Sequence, residues 1–416
     1  MSTHPDSASH SLPDRPSIEH LKNQAKDLLR AGGATSLTAA QREIARQYGF
    51  ASWPKLNAHV ESVTEIGQLK DAIDANDLAR VVALMTRRPA LHQAPLGYGK
   101  NGPLTWAAEC RGVACSPERL AIARWMLENG SDVHQGGDGP LMRAALSDER
   151  IPMLELLVEH GADVNARWGG DYPIICGPCE CLAPESLQWL ISHGADMNVV
   201  SGSYGTCVEM LISTYSRDPQ GKHACLKVFA EAGFSLPNTA PLAIHRGRID
   251  LLEECLARDP SLLARRFAES EIYPAELGIR PGRGLHGTPL DGTTLLHMAV
   301  EFQEAEIVEW LLTRGADVNA RAAVDSDGFG GHTPLFHTTV SLPPRRDTLA
   351  RVLLAHGADP HLRTTLRKQL VDMGDPEKER MYEFHNVTAV EYTRQFQEPR
   401  MINVAAIAAI EEFVRP

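Results

Sequence analysis

Three cysteines stand close together near the middle of the chain, Cys176, Cys179 and Cys181, spaced C-x2-C-x-C. Thiolates at that spacing are good ligands for a borderline-soft metal, and with His193 or Cys207 they could complete a four-coordinate zinc site. The sequence offers no second C-x2-C pair to complete such a site. A free cysteine also packs as a small hydrophobe, and that reading needs no further ligand. No metal is expected. The 17 histidines invite a search for a general base. His160, His193 and His356 each precede a glycine at the end of an apolar helical stretch, where a partly positive ring suits the C-terminal dipole. No Ser or Cys stands in a nucleophile elbow, and no G-x-x-x-x-G-K-[ST] phosphate loop occurs. The Gly-rich run at 278–287, GIRPGRGLHG, has the wrong spacing and reads as loop. Carboxylates are scattered as on solvated helix faces, with no pair set for acid–base work. No catalytic residue and no cofactor are therefore assigned.

The elements that would position these groups come from a recurring phrase. Asn129-Gly130-Ser131-Asp132-Val133 returns as His160-Gly161-Ala162-Asp163-Val164-Asn165-Ala166-Arg167 and as His193-Gly194-Ala195-Asp196-Met197-Asn198. It returns again as Arg314-Gly315-Ala316-Asp317-Val318-Asn319 and His356-Gly357-Ala358-Asp359-Pro360. Most copies follow a short run with apolar residues at helical spacing, as at 151–158, 187–191, 307–312 and 349–354. The glycine can end such a helix in the left-handed region, and Asp and Asn lead into a turn. Thr333-Pro334-Leu335 and Thr294-Leu295-Leu296-His297-Met298-Ala299 open the other helix of the unit, with Thr as cap and Pro in the first turn. Weaker versions begin at Gly102 and Gly139.

These residues resemble the ankyrin repeat, whose signature is T-P-L-H-x-A. The best copy, 291–321, matches at nearly every signature position, and about eight units fit into 66–415. The resemblance implies an all-α solenoid of stacked helix–turn–helix units in one continuous array. It also implies that the His297 ring bonds neighbouring turns. Two units are irregular: 69–91 and 242–263 both end in Pro-x-Leu where the others have Gly-Ala-Asp. They suggest two related halves, 66–240 and 241–416, the second holding a loop at 264–290 and a C-terminal capping unit at 387–416. Residues 1–10 are expected to be a disordered tail. Residues 11–65 resemble a short helical segment found ahead of ankyrin arrays in bacterial proteins. A terminal repeat needs a polar-faced cap, and that is the role expected of the segment, with a separate binding role as the alternative. Phe50 and Trp53 are expected in its core.

Composition bounds the function. A formal charge of −12 argues against a mainly electrostatic contact with nucleic acid or anionic lipid. No apolar run approaches the ~20 residues of a membrane helix, and the first ten residues lack a signal-peptide pattern. Eight cysteines in 416 residues suit reduced thiols in a cytoplasm. The resemblance implies a non-enzymatic role, binding a protein partner in a concave groove as a monomer. The groove is formed by the turn tips and by the two positions after the Ala-Ala pair. Mapped onto this chain, the helix positions include Glu109, Cys110, Leu146, Ser147, Glu180, Glu301 and Phe302. The turns contribute Arg167, Trp168, Tyr172, Tyr204, Asp327 and Phe329. Trp168, Tyr172, Tyr204 and Phe302 are the expected anchors, because exposed aromatics bury much area for few lost rotamers. The competing expectation is an enzyme or small-molecule binder that uses the loops 92–101 and 264–290.

Overall fold

The computed structural model describes residues 12–13, 16–96, 101–110, 112, 114–214, 216–279, 287–372, 375–396 and 398–415. The expected tail at 1–10 and parts of the loops at 92–101 and 264–290 lie outside the described residues. The chain forms two compact units, one of residues up to 144 with 149–170, the other of 145–148 with 171–416. The division at 240, drawn from repeat similarity, is not where compactness divides the chain. The similarity itself appears in the backbone. Helices Leu78–Arg87 and Ile249–Arg258 both run into a 3-10 turn that begins at the proline of Pro-x-Leu.

The first unit opens with three short helices, Ile18–Arg30, Leu37–Gln47 and Trp53–Val63. Each is capped by a serine, Ser17, Ser36 or Ser52, whose side chain accepts an amide of the first turn. They share a core of Leu21, Ala25, Ala40, Ile44, Ala45, Leu56 and Val60, with Phe50 and Trp53 packed on it. Repeat pairs follow at Glu65–Asp74 with Leu78–Arg87, Pro103–Ala108 with Pro117–Glu128, and Gln135–Ala145 with Ile151–Glu159.

The second unit contains six pairs. Their first helices are Cys176–Cys181, Cys207–Ile212, Ala240–His245, Leu295–Glu301, Phe336–Thr339 and Ala389–Gln395. First helices pack on first helices and second helices on second, as in Leu295–Glu301 on Phe336–Thr339 and Thr348–Ala355 on Val404–Val414. Three pairs and six make nine among the described residues, one more than the motif suggests. The helix-ending glycines hold the left-handed backbone their motif requires, φ 94° at Gly161 and 90° at Gly315.

One element was not anticipated from the sequence. Strands Thr364–Asp372 and Asp375–Val387 form a long antiparallel hairpin, with Leu366 opposite Phe384 and Lys368 opposite Tyr382. Its root is buried: Leu366 and Phe384 are inside, and the Phe384 ring lies edge-on to Tyr392 at 4.7 Å. The Tyr392 hydroxyl donates to the Gly287 carbonyl at 2.7 Å. The helical solenoid thus carries a β-hairpin in its second unit.

Candidate functional site

In the second unit, the turn 200–206 is a tight hairpin in which Val200 pairs with Thr206 and Ser201 with Gly205. A single carboxylate pins its tip. Asp171 accepts from the Ser201 hydroxyl at 3.0 Å, the Gly202 amide at 3.1 Å and the Ser203 amide at 3.0 Å. The hydroxyl of Ser203 and these donors hold the Asp171 carboxyl down at about 2, so it is ionised throughout the physiological range. The Ser201 oxygen in turn accepts the Tyr204 amide at 2.9 Å. The Tyr204 ring stands edge-on to Tyr172, with centroids 4.9 Å apart at 82°. The Tyr172 hydroxyl donates to Glu180 Oε2 at 2.7 Å, and burial pushes this phenol well above its usual range. Tyr172 is 5% exposed, whereas Tyr204 is 43% and Val200 58% exposed. The arrangement presents one aromatic and one aliphatic side chain on a turn with few conformations left to lose.

Four of the expected surface residues, Cys110, Tyr172, Glu301 and Phe302, belong to the interior. Tyr172 is the support of Tyr204. Glu301 and Phe302 are 1% and 2% exposed, because helix Leu295–Glu301 is buried along its whole length. Glu301 joins an ionic network. Its Oε1 accepts from Arg217 Nη2 at 2.7 Å and its Oε2 from His337 Nδ1 at 2.8 Å. Arg217 Nε also donates to the Glu301 carbonyl at 2.8 Å. Glu304 receives the Lys222 ammonium and the His223 ring, both at 2.9 Å. Phe302 lies among Arg217, Lys222 and His245, at 5.2, 4.7 and 4.5 Å from its ring. Two buried cations thus meet two buried carboxylates around one ring, and charges removed from water must be paired in this way. Helical spacing alone cannot separate a groove position from a covered one, and Arg217, Lys222, Glu304 and His337 carry no motif.

His297 does what the resemblance implies. Its Nε2 donates to the His332 carbonyl at 3.1 Å, and its Nδ1 faces the Thr294 hydroxyl at 2.9 Å. His332 Nε2 donates to the Pro289 carbonyl at 2.9 Å. Both rings are fully buried, and burial first, then the charge of His337, holds His332 down at about 3 and His297 well below its ordinary value.

The remaining sequence candidates are dispersed. Arg167 and Trp168, in the first unit, are half-buried, as is Glu109, whose carboxylate lies 3.9 Å from Arg143. Phe329 is half-buried under the Arg367 guanidinium at 4.8 Å, and Arg367 pairs with Asp325 at 2.7 Å and Asp327 at 3.0 Å. Cys176 and Cys179 are buried with Cys207, while Cys181 is exposed. His193 instead stacks on Trp189 at 3.8 Å and donates to its carbonyl. Among the described residues no three His, Cys, Asp or Glu side chains are grouped as metal ligands would be. The segment after Pro-x-Leu in the second unit does enclose space. A half-open cavity of about 420 Å³ is lined by Pro241, Cys255, Arg258, Leu262, Arg265, Phe267, Glu271 and Pro274 among others. A smaller cavity in the first unit, lined by Ile66, Arg88, Leu91 and Ala94 among others, measures about 190 Å³.

Stacked pairs of short antiparallel helices joined by projecting turns define a helical repeat protein. The pairs within 267–364 and 136–168 are ankyrin repeats: the family's profile matches the first segment as three copies and the second as one. Ankyrin repeats in general mediate protein–protein interaction. No curated protein matches the chain. Among the described residues no helix is long and apolar enough to cross a membrane.

Proposed function

We propose that the chain is a non-enzymatic binding protein that takes a protein partner on its projecting turns and groove, with Tyr204 and Val200 as anchors. The observation that carries this reading is the exposed Tyr204, braced by the buried Tyr172–Glu180 pair on a turn tied down by Asp171. A rigid aromatic on a fixed turn loses little entropy when covered, which is how interface hot spots gain their energy. Glu180 and Phe329 are further contact residues of the second unit in this reading, and Arg167, Trp168 and Glu109 of the first. The protein acts as a monomer in a bacterial cytoplasm, and residues 11–65 cap the array. The test is affinity capture with two baits, the native protein and Tyr204→Ala, followed by mass spectrometry. A partner retained by the first and depleted on the second supports the reading. Identical recovery of every protein by both baits counts against it.

The cavity beside the 264–290 loop favours a second reading, a small-molecule site. Its volume falls within the range of ligand pockets, and the inserted segment supplies one wall. A thermal-shift screen of metabolites distinguishes the two: stabilisation lost in Arg265→Ala would support a ligand there, and no stabilisation would leave the protein-binding reading alone.

A further inference from the structure

The half-open cavity of about 420 Å³ in the second unit has two walls of different origin. One belongs to the repeat, with Pro241 on its first helix and Cys255 and Arg258 on its second, Ile249–Arg258. The other is the inserted segment, with Phe267, Pro274 and Glu276. That second wall is tied to the next repeat. The Phe267 amide donates to the Thr293 carbonyl at 2.8 Å, and the Gly292 amide to the Phe267 carbonyl at 2.9 Å. The Glu269 amide donates to Asp291 Oδ1 at 2.8 Å. Pro241, Cys255, Phe267 and Pro274 are buried and Leu262 is half-buried, so the chain itself holds an apolar floor in place.

Five charged side chains line the cavity, and three of them are committed to neighbours. Arg265 pairs with Glu271 and lies over the Phe267 ring at 4.9 Å. Glu271 also accepts the Ala268 amide at 3.0 Å. Asp259 Oδ1 accepts the Ser261 amide at 3.0 Å and the Ser261 hydroxyl at 2.6 Å. Arg258 and Glu276 are left. The Arg258 guanidinium is aimed by its own helix: Nε donates to the Glu254 carbonyl at 3.2 Å, and Nη2 to Cys255 Sγ at 3.6 Å. The Cys255 S–H in turn donates to the Asn238 carbonyl at 3.5 Å. Among the described residues neither Arg258 nor Glu276 meets an opposite charge. One positive and one negative group thus border the same apolar floor, one from each wall.

We propose that the cavity binds a short apolar peptide with free ends, its carboxylate on Arg258 and its ammonium on Glu276, a proposal that rests on the small-molecule reading of the same cavity. A zwitterion satisfies both uncommitted groups. An anion would leave Glu276 unpaired beside Asp259, and a cation would be repelled by Arg258. A guanidinium with two N–H edges fixed and the rest free is suited to a carboxylate. A dipeptide, unlike a single amino acid, separates its charges by a peptide unit and so bridges groups on two walls. Its side chains lie on the floor of Phe267, Leu262 and Pro274, where burial of apolar surface supplies the attraction.

The probe is leucyl-phenylalanine, titrated by calorimetry into the full chain beside three capped forms: N-acetylated, C-amidated, and both. The expected result is binding of the free dipeptide, weakened about tenfold or more by either cap, as for the loss of one charge-assisted hydrogen bond. Arg258→Ala should weaken the free dipeptide by the same factor and leave the affinity of the amide unchanged. Glu276→Gln should do so for the free dipeptide and the N-acetylated form. Both residues are exposed, so both variants should fold as the native protein does. Leu262→Trp, which fills the cavity, should abolish binding of every form. Full affinity for the doubly capped peptide, or for the free dipeptide in Arg258→Ala, overturns the proposal; loss of that binding in Leu262→Trp would then leave the small-molecule reading standing. A dipeptide that fails to bind where a metabolite stabilises the protein through Arg265 also overturns the proposal alone. Failure of every ligand overturns both.

Discussion

Tyr172 and Tyr204 stand in successive turns, yet only Tyr204 reaches solvent, because the Tyr172 hydroxyl is committed to Glu180 and its ring to its neighbour. Tyr204 and the buried Phe302 should therefore behave oppositely. Tyr204→Ala should lower the melting temperature far less than a core truncation, since Tyr204 is already 43% exposed. Phe302→Ala should cost roughly 3–5 kcal/mol of stability by emptying a buried site between two cations. Glu301→Ala should cost about 3–5 kcal/mol as well, because it breaks a buried ion pair and leaves Arg217 facing an empty place. Urea titrations of the three variants check this; a large loss in Tyr204→Ala with none in Phe302→Ala would reverse the assignment. The sequence could name all three aromatics but could not sort them. Turn or helix position gives the direction of a side chain, whereas burial depends on what folds over it, and Arg217 and Lys222 come from more than 75 residues away.

At the scale of the element, the ankyrin pair was the most legible feature. Its glycine, Thr cap and small residues each answer a local backbone or packing need, and His297 makes the turn-to-turn bonds its motif implies. Ala299, fully buried between helices, should tolerate no enlargement: Ala299→Trp should cost on the order of 1–3 kcal/mol or more, read in a thermal melt. The hairpin Thr364–Val387 was not legible, because its sequence is rich in Lys, Arg, Glu and Asp and lacks a plain apolar alternation. Its register rests on a few buried residues at the root, Leu366 and Phe384 among them. The buried histidines carry a pH dependence. His332 is held at about 3, and burial also lowers His245 and His297 well below their ordinary value. Below pH ~6.5 the unfolded chain binds protons that the fold refuses. Stability is therefore full above that pH and falls as the pH drops toward the folded-state values, by about 1.4 kcal/mol per pH unit for each such histidine. Denaturation at a series of pH values should show this slope, and His332→Gln should reduce it by one proton. A stability that is flat from about pH 6.5, the ordinary histidine value, to about pH 5 would contradict it.

At the scale of the molecule, the repeat character was legible because the motif recurs, and the two compact units were not, because compactness has no local sign. Each unit offers fixed turns, and the formal charge of −12 disfavours a strongly acidic partner. The account stands or falls on whether the braced tip is a binding anchor. The direct measurement is a calorimetric titration of the captured partner into the native protein and into Tyr204→Ala, each first shown to be folded at the temperature of the titration. The account predicts affinity weakened by roughly 1–4 kcal/mol in the variant. Equal affinity for both proteins would contradict it.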